Sequence, residues 1–275
     1  MRFDLFGKPC SRRMISAPIV TSPMEINGRP DRRRERRTAI WIGGVFGGYL
    51  ILCFLAPAML PTGSVPELSG RANSIDYFSH DSWGNHNWSE DSELGHNQSA
   101  HGGTFAWSEM NPIWAFTYGF GDINCHQKHS RSWTINENQM PVCVRDIGIF
   151  AGAALGAALF GRFGVNRWTI RDTLLSILPD NALTGIYQNN RRMHAFLGIG
   201  ILCAVPMGID GFTQLLTNYE STNPIRLITG LGFGIGLGLF FASSLSARPQ
   251  DFENGAGQVM LPGGARFLPP TTEEE

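Results

Sequence analysis

Charged side chains are scarce in this chain. They make up 16% of its 275 residues, whereas about 25% is usual for a soluble globular domain. Five cysteines are too few for a scaffold built on disulfides. The 22 basic and 23 acidic residues form no strongly basic domain, so nucleic acid is excluded as an expected partner. With 43% hydrophobic residues the chain is not intrinsically disordered as a whole.

Long apolar segments explain the shortage of charge. A helix needs about 18–20 mostly apolar residues to cross a bilayer, and four segments approach or exceed that length: residues 39–60, about 142–161, about 195–216 and about 225–245. The sequence therefore predicts an all-α, polytopic membrane protein with four transmembrane helices in contact with the lipid bilayer. Residues 112–245 are predicted to form its membrane core domain.

The uneven distribution of charge predicts an orientation in the cell membrane. Residues 1–38 carry ten basic and four acidic side chains, whereas residues 61–146 carry four basic and ten acidic ones. Basic segments stay on the cytoplasmic side. We therefore expect disordered cytoplasmic tails at 1–38 and 246–275, and an acidic, His-containing outer loop at 61–111. Asn87 and Asn97 of that loop match the glycosylation sequon.

A short aromatic segment follows the outer loop. Residues 112–121 are too few to span a bilayer and include Trp114, Phe116, Tyr118 and Phe120. Aromatic side chains favour the headgroup level of a membrane. We expect an interfacial helix on the outer surface.

Glycines recur at intervals of four residues in the second and fourth apolar segments. This spacing places them on one helix face and lets two backbones approach closely in lipid. The alternative is a smooth wall for a pore or ligand, but close helix packing alone explains the pattern. The glycines are Gly148, Gly152, Gly156, Gly230, Gly234 and Gly238.

Polar side chains collect at the outer ends of the helices. Arg145, Asp146, Asp210, Gln214 and Arg226 lie there. Ionisable groups at membrane depth usually pair or face a wet cavity. We expect a neutral cluster in which Asp146 or Asp210 pairs with Arg226; solvation at the interface is the alternative.

Two of the five cysteines are predicted to face outward. Cys125 and Cys143 have 17 residues between them, and a disulfide closing that loop would contribute about 3 kcal/mol. A metal site is the competing interpretation. Cys143 and Asp146 share one face at the start of a helix, and with Cys125 and His126 they supply an acceptable ligand set for zinc.

These residues also resemble a known family, the predicted membrane proteins with domain of unknown function 2085. The resemblance implies a multi-pass membrane protein without an established activity. Many members carry a cysteine at the position of Asp146, and the resulting Cys-x-x-Cys pair implies metal ligation or thiol redox chemistry; Asp146 disfavours the redox mechanism here. The resemblance rests on Cys125-His126-Gln127, Arg131-Ser132, residues 140–152, Asp210-Gly211, Gln214, Thr222-Asn223, Arg226 and Thr229-Gly230.

Three functions fit the sequence. The first is a non-enzymatic membrane protein whose outer Cys/His/Asp cluster is a metal or disulfide site serving a small ligand or a protein partner. The second is a transporter or channel for a small solute or ion. The third is a membrane enzyme that uses the outer polar cluster. No nucleophile–base pair, phosphate loop or zinc-protease spacing is present in the sequence, which favours the first interpretation.

Overall fold

The computed structural model describes residues 24–68, 74–85, 98–253 and 255–267. Within these residues the chain forms seven α-helices and four two-residue strands. The helices are α1 (Arg33–Met59), α2 (Pro112–Asn124), α3 (Val144–Phe163), α4 (Ile170–Leu175), α5 (Asp180–Gln188), α6 (Arg192–Leu216) and α7 (Asn223–Ser246). The strands are β1 (Glu25–Ile26), β2 (Thr134–Ile135), β3 (Asn138–Gln139) and β4 (Val259–Met260).

Four of the helices, α1, α3, α6 and α7, are long and apolar enough to cross a membrane. The predicted all-α class is confirmed, with four candidate membrane-spanning helices. The short aromatic segment forms α2, which begins where Asn111 caps it. The Asn111 side chain accepts hydrogen bonds from the backbone N–H groups of Ile113 and Trp114, each at 3.1 Å, and Pro112 occupies the first helical position.

The glycines of α3 and α7 lie in one helix–helix contact. A Cβ atom added to Gly152 would overlap the Leu231 carbonyl oxygen, and one added to Gly234 would overlap the Ile149 carbonyl oxygen. Gly148 and Gly156 face α7 in the same way, as Gly230 and Gly238 face α3. The spacing of four residues thus brings two backbones together without side chains between them.

Both described termini lie at one end of the bundle, here called the inner end. Arg32 donates from Nε to the Gly164 carbonyl and from Nη2 to the Gly161 carbonyl, both at 2.9 Å. Arg34 donates to the Leu245 carbonyl at 2.8 Å. The start of α1 therefore meets the ends of α3 and α7. The opposite, outer end carries α2, the β2–β3 hairpin and the starts of α3 and α7.

The prediction of disordered tails is wrong for the described parts of both tails. Phe252, Val259 and Leu261 are buried against α4 and α5, and β4 pairs in parallel with β1, with Glu25 opposite Val259. These few apolar side chains fill a groove at the inner end, which a Gly- and Pro-rich composition conceals. Residues 1–23 and 268–275 of the tails lie outside the described residues.

Candidate metal centre

Buried amide side chains bring two distant segments of the chain together at the outer end. Gln127, in the left-handed backbone region at φ 48°, donates from Nε2 to the Pro141 carbonyl at 2.7 Å. Gln139 donates from Nε2 to the Gln127 carbonyl at 2.6 Å. Gly121 allows the close approach, because a Cβ there would overlap the Pro141 carbonyl oxygen. The end of α2 is therefore held against the start of α3.

The β2–β3 hairpin between these segments is anchored to α1. Its two-residue turn, Asn136 and Glu137, has positive φ at both positions, 52° and 59°, which matches the twist of a tight antiparallel hairpin. The buried Asn138 side chain donates to the Pro57 and Pro61 carbonyls, both at 3.0 Å. The hairpin fixes the chain that leads into Cys143.

Cys125, Cys143 and Asp146 meet at the junction between α2 and α3. Cys125 follows the last residue of α2, and Cys143 directly precedes the first residue of α3. The Cys143 N–H donates to Cys125 Sγ at 3.1 Å, and the Cys143 thiol donates to Asp146 Oδ2 at 3.2 Å. One ligand atom from each of the three residues lies within 4.8 Å of the other two. Both cysteines are free thiols in this arrangement.

The donor atoms suit a small, soft divalent cation. Zinc binds thiolates at about 2.3 Å and carboxylate oxygens at about 2.0–2.2 Å in tetrahedral geometry, so ligand atoms already gathered within 4.8 Å need only a small inward movement. A side-chain hydrogen bond with Cys143 and burial raise the pKa of the Cys125 thiol well above its usual range. A metal ion would displace these thiol protons, because thiolate is the ligand form.

His126 stands apart from this close group. Its side chain is exposed and is not among the three residues whose ligand atoms cluster within 4.8 Å. It nevertheless lines the same cavity of about 130 Å³ as Cys125, Cys143 and Asp146. The four predicted metal ligands therefore border one cavity, with three of them in the tight cluster.

The polar residues around this cluster pair differently from the predicted arrangement. Asp210 forms an ion pair with Arg145, while Arg226 lies 3.9 Å from Glu220. When the Gln214 amide oxygen faces Arg226 and the Ser221 N–H, it accepts a hydrogen bond from Arg226 Nη2 at 2.6 Å. The expected bridge from Arg226 to Asp146 or Asp210 is absent among the described ion pairs, because Arg145 of α3 reaches Asp210 on α6, and Asp146 instead accepts from Cys143.

Asp122 is an organising residue that the sequence analysis missed. Its carboxylate accepts hydrogen bonds from the Asp76 N–H at 3.0 Å, the Tyr77 N–H at 2.9 Å and Trp107 Nε1 at 2.9 Å. Burial raises the pKa of Asp122. The residue ties the outer loop to α2. The available signal was an acidic residue directly after an otherwise apolar aromatic segment.

The histidines of the outer loop do not join the thiol cluster where they are described. His101 Nδ1 lies 3.1 Å from Glu67, and His80 Nε2 lies 3.3 Å from Glu109. His86 and His96, and the sequon residues Asn87 and Asn97, fall outside the described residues, as does Cys10.

Comparisons with known proteins cover the part of the chain that holds the cluster. A family model described as "Predicted membrane protein", with domain of unknown function 2085, matches residues 125–240. An uncharacterized protein of Methanothermobacter thermautotrophicus is 32% identical over 113 residues, 41% of this chain and 79% of that protein. An uncharacterized protein of Methanocaldococcus jannaschii is 29% identical over 126 residues, 44% of this chain and 66% of that protein. No solved structure matches the chain.

Proposed function

Because the chain belongs to the family of predicted membrane proteins with domain of unknown function 2085, we propose that it is a multi-pass protein of the cell membrane with an outward-facing metal centre. Cys125, Cys143 and Asp146 are the proposed ligands, and zinc is the expected ion. The proposed role of this metal centre is to serve a small ligand or a protein partner at the outer face of the membrane.

One observation carries the proposal of a metal centre. Two thiols and a carboxylate converge within 4.8 Å. Cys125 comes from one segment of the chain, and Cys143 and Asp146 come from another that begins 18 positions later. Buried hydrogen bonds from Gln127 and Gln139 hold the two segments together. Cysteine thiolates and aspartate carboxylates both bind zinc. The supporting backbone contacts also orient the ligands, as outer-shell contacts do in metalloproteins.

Elemental analysis of protein purified under reducing conditions tests this metal centre. We expect one zinc per chain, and a loss of affinity of about tenfold or more in Cys125→Ser, Cys143→Ser and Asp146→Asn. Cys203→Ser is the matched control, since Cys203 lies on α6 away from the cluster, and it should keep the metal. His126→Gln tests whether His126 contributes to the site: an unchanged affinity would exclude it as a fourth ligand, whereas a loss of about tenfold or more would match the loss seen in the Cys and Asp variants.

The disulfide interpretation is tested with a second preparation of the protein, purified without reductant. Wild-type protein purified without reductant would be free of metal, and mass spectrometry would find a Cys125–Cys143 crosslink that reduction removes. That outcome would overturn the metal centre. A thiol pair that labels with maleimide only after a chelator is added would support it.

We also propose that both termini face the cytoplasm. The arginines before α1 and the C-terminal end of α7 lie at the inner end of the bundle, and basic segments remain cytoplasmic. A membrane-impermeant maleimide should label Ser64→Cys, an exposed position after α1, in intact cells that also carry Cys143→Ser. Asn181→Cys, exposed on α5, should react only after lysis. The reverse pattern would overturn this orientation.

A further inference from the structure

Basic side chains share the cavity with the proposed metal ligands. Lys128, Arg131, Arg145 and Arg226 all line it. The cavity volume is about 130 Å³, and a water molecule in the liquid occupies about 30 Å³. The space therefore suits a small anion of a few heavy atoms rather than a large substrate.

The positive charge around the cavity exceeds the negative charge that pairs with it. Asp210 pairs with Arg145. Glu220 is shared, at 3.3 Å from Arg131 and 3.9 Å from Arg226. Apart from the proposed ligand Asp146, two carboxylates thus face four basic side chains.

Among these basic residues, Arg226 gives the strongest indication of an anion site. Its side chain is only 2% exposed, and within the described residues its Nε atom has no hydrogen-bond partner. The Nε atom of Arg145 is also buried without an acceptor in the described chain. A guanidinium matches the planar, two-oxygen edge of a carboxylate or phosphate. An oxyanion in the cavity would supply the acceptors that these buried N–H groups lack.

The metal cluster provides a second attachment point for the same anion. Three protein ligands leave one position of a tetrahedral zinc ion open, as in catalytic zinc sites. We propose that a small oxyanion, a carboxylate or inorganic phosphate, binds in this cavity between the open metal position and Arg226, with Arg131 at its edge. This inference rests on the metal centre proposed above, and it makes that centre a ligand-binding site.

Visible absorption of the cobalt-loaded protein tests the proposal. Cobalt(II) replaces zinc in such sites, and its visible bands respond to a change in its ligands. Sodium acetate and sodium phosphate, added separately to the protein in detergent, should change the bands saturably. A bulky sulfonate at the same ionic strength should not, because it does not fit the cavity.

Arginine variants identify the groups that hold the anion. Arg226→Gln should weaken the apparent anion affinity by about tenfold or more. Arg131→Gln, at a partly exposed side chain, gives a second test if Arg226→Gln does not fold. Arg34→Gln, at the inner end, is the matched control and should behave as wild type.

Each remaining outcome overturns a defined part of the proposal. If cobalt binds but neither anion changes its bands, the anion site is overturned and the metal centre stands. If no cobalt binds, both are overturned. A saturable response that is unchanged in both outer arginine variants would overturn the role of the arginines. A response to anionic phospholipid vesicles that free anions do not reproduce would assign the cavity to lipid headgroups and overturn a small free ligand.

Discussion

The two ends of the helix bundle use their charged side chains in different ways. At the inner end, Asp172 and Asp180 pair with arginines, and other charged groups bind the backbone of distant segments. Arg32 donates to the end of α3, Arg34 donates to the end of α7, and Glu35 accepts from the Asn166 N–H at 2.8 Å. At the outer end, charged groups pair with each other, as Arg145 does with Asp210, and they surround two thiols.

This difference separates a structural polar region from a candidate binding site. The inner hydrogen bonds of Arg32, Arg34 and Glu35 tie the start of α1 to the ends of α3 and α7 and to the segment that follows α3. The outer end has the one group of potential metal ligands found within the described ranges, next to a cavity lined by basic side chains. Ion pairs occur at both ends. The outer end differs because its charged groups surround a group of potential metal ligands.

Removing a buried inner carboxylate should have the largest effect on stability. Asp172 is fully buried, with Oδ2 at 3.2 Å from Arg171 Nη2 and Oδ1 at 3.8 Å from Arg192 Nη1. Asp172→Asn leaves both arginines without their counter-charge. We expect the free energy of unfolding to fall by about 3 kcal/mol, since breaking a buried ion pair from one side is costly. Denaturant unfolding in detergent measures the change.

The matched outer variant, Asp146→Asn, should behave differently in metal-free protein. Asp146 lies in the first turn of α3, where a carboxylate contributes about 0.3–1 kcal/mol through the helix dipole. Its variant should lose the metal but little stability. If metal-free Asp146→Asn were destabilised as much as Asp172→Asn, the contrast between the two ends would be lost.

Asp122→Asn is expected to lower the stability by an intermediate amount, because Asp122 has a structural role at the outer end. In Asp122→Asn an amide NH₂ replaces one of the oxygens that face N–H donors, so the free energy of unfolding should fall by about 1–3 kcal/mol. This outer carboxylate binds backbone N–H groups as Glu35 does at the inner end, so a stability loss here would show that the outer end also contains a purely structural carboxylate.

The pH dependence of the stability difference between wild type and Asp122→Asn provides a second test of the structural role of Asp122. Because burial raises the pKa of Asp122 in the folded protein, its protonated form favours folding, and this contribution is complete below the unfolded value of about 3.9. It is lost as pH rises through the raised folded value. The stability difference between wild type and Asp122→Asn should therefore narrow from pH 3 to pH 7 in thermal unfolding. A difference that widens over this range would contradict the assignment.

Helices that come from long or dense runs of apolar residues were predictable from the sequence. Structure that depends on a few isolated apolar residues was not. The four membrane-crossing helices follow from long apolar runs, and α2 follows from a short aromatic one. The ordering of residues 248–267 depends on Phe252, Val259 and Leu261 finding a groove on α4 and α5. That groove is formed by tertiary packing, which no local pattern in a Gly- and Pro-rich tail reveals.

In the candidate site, too, local spacing was predictable from the sequence, whereas contacts between distant segments were not. The spacing of Cys143 and Asp146 on one helix turn indicated their proximity, since three residues bring side chains to one face. Their contact with Cys125 depends on the Gln127 and Gln139 hydrogen bonds, which are long-range. Which arginine pairs with Asp210 depends on the rotation of α3 relative to α6, so the sequence could name the charged residues but not their partners.

The smallest effect on stability is expected at Glu220, the exposed carboxylate of the outer cluster. Slight burial opposes the shift, but the hydrogen bond from Arg131 and the nearby positive charges lower the pKa of Glu220 overall, so it remains ionised at neutral pH. Exposed ion pairs contribute about 0–1 kcal/mol, and Glu220→Gln should change the free energy of unfolding by no more than that. Glu137→Gln, on the exposed hairpin turn, is the matched control.

The informative readout for Glu220→Gln is therefore anion binding rather than stability. Glu220 competes for Arg131 and Arg226, so its neutral variant should bind acetate more tightly than wild type in the cobalt-loaded protein, by about threefold for a change of 0.6–0.7 kcal/mol. Glu137→Gln should leave the affinity unchanged. Equal affinities in wild type and Glu220→Gln would mean that the outer charges, like the inner ones, only hold the structure together, and the contrast between the two ends would then rest on the thiols alone.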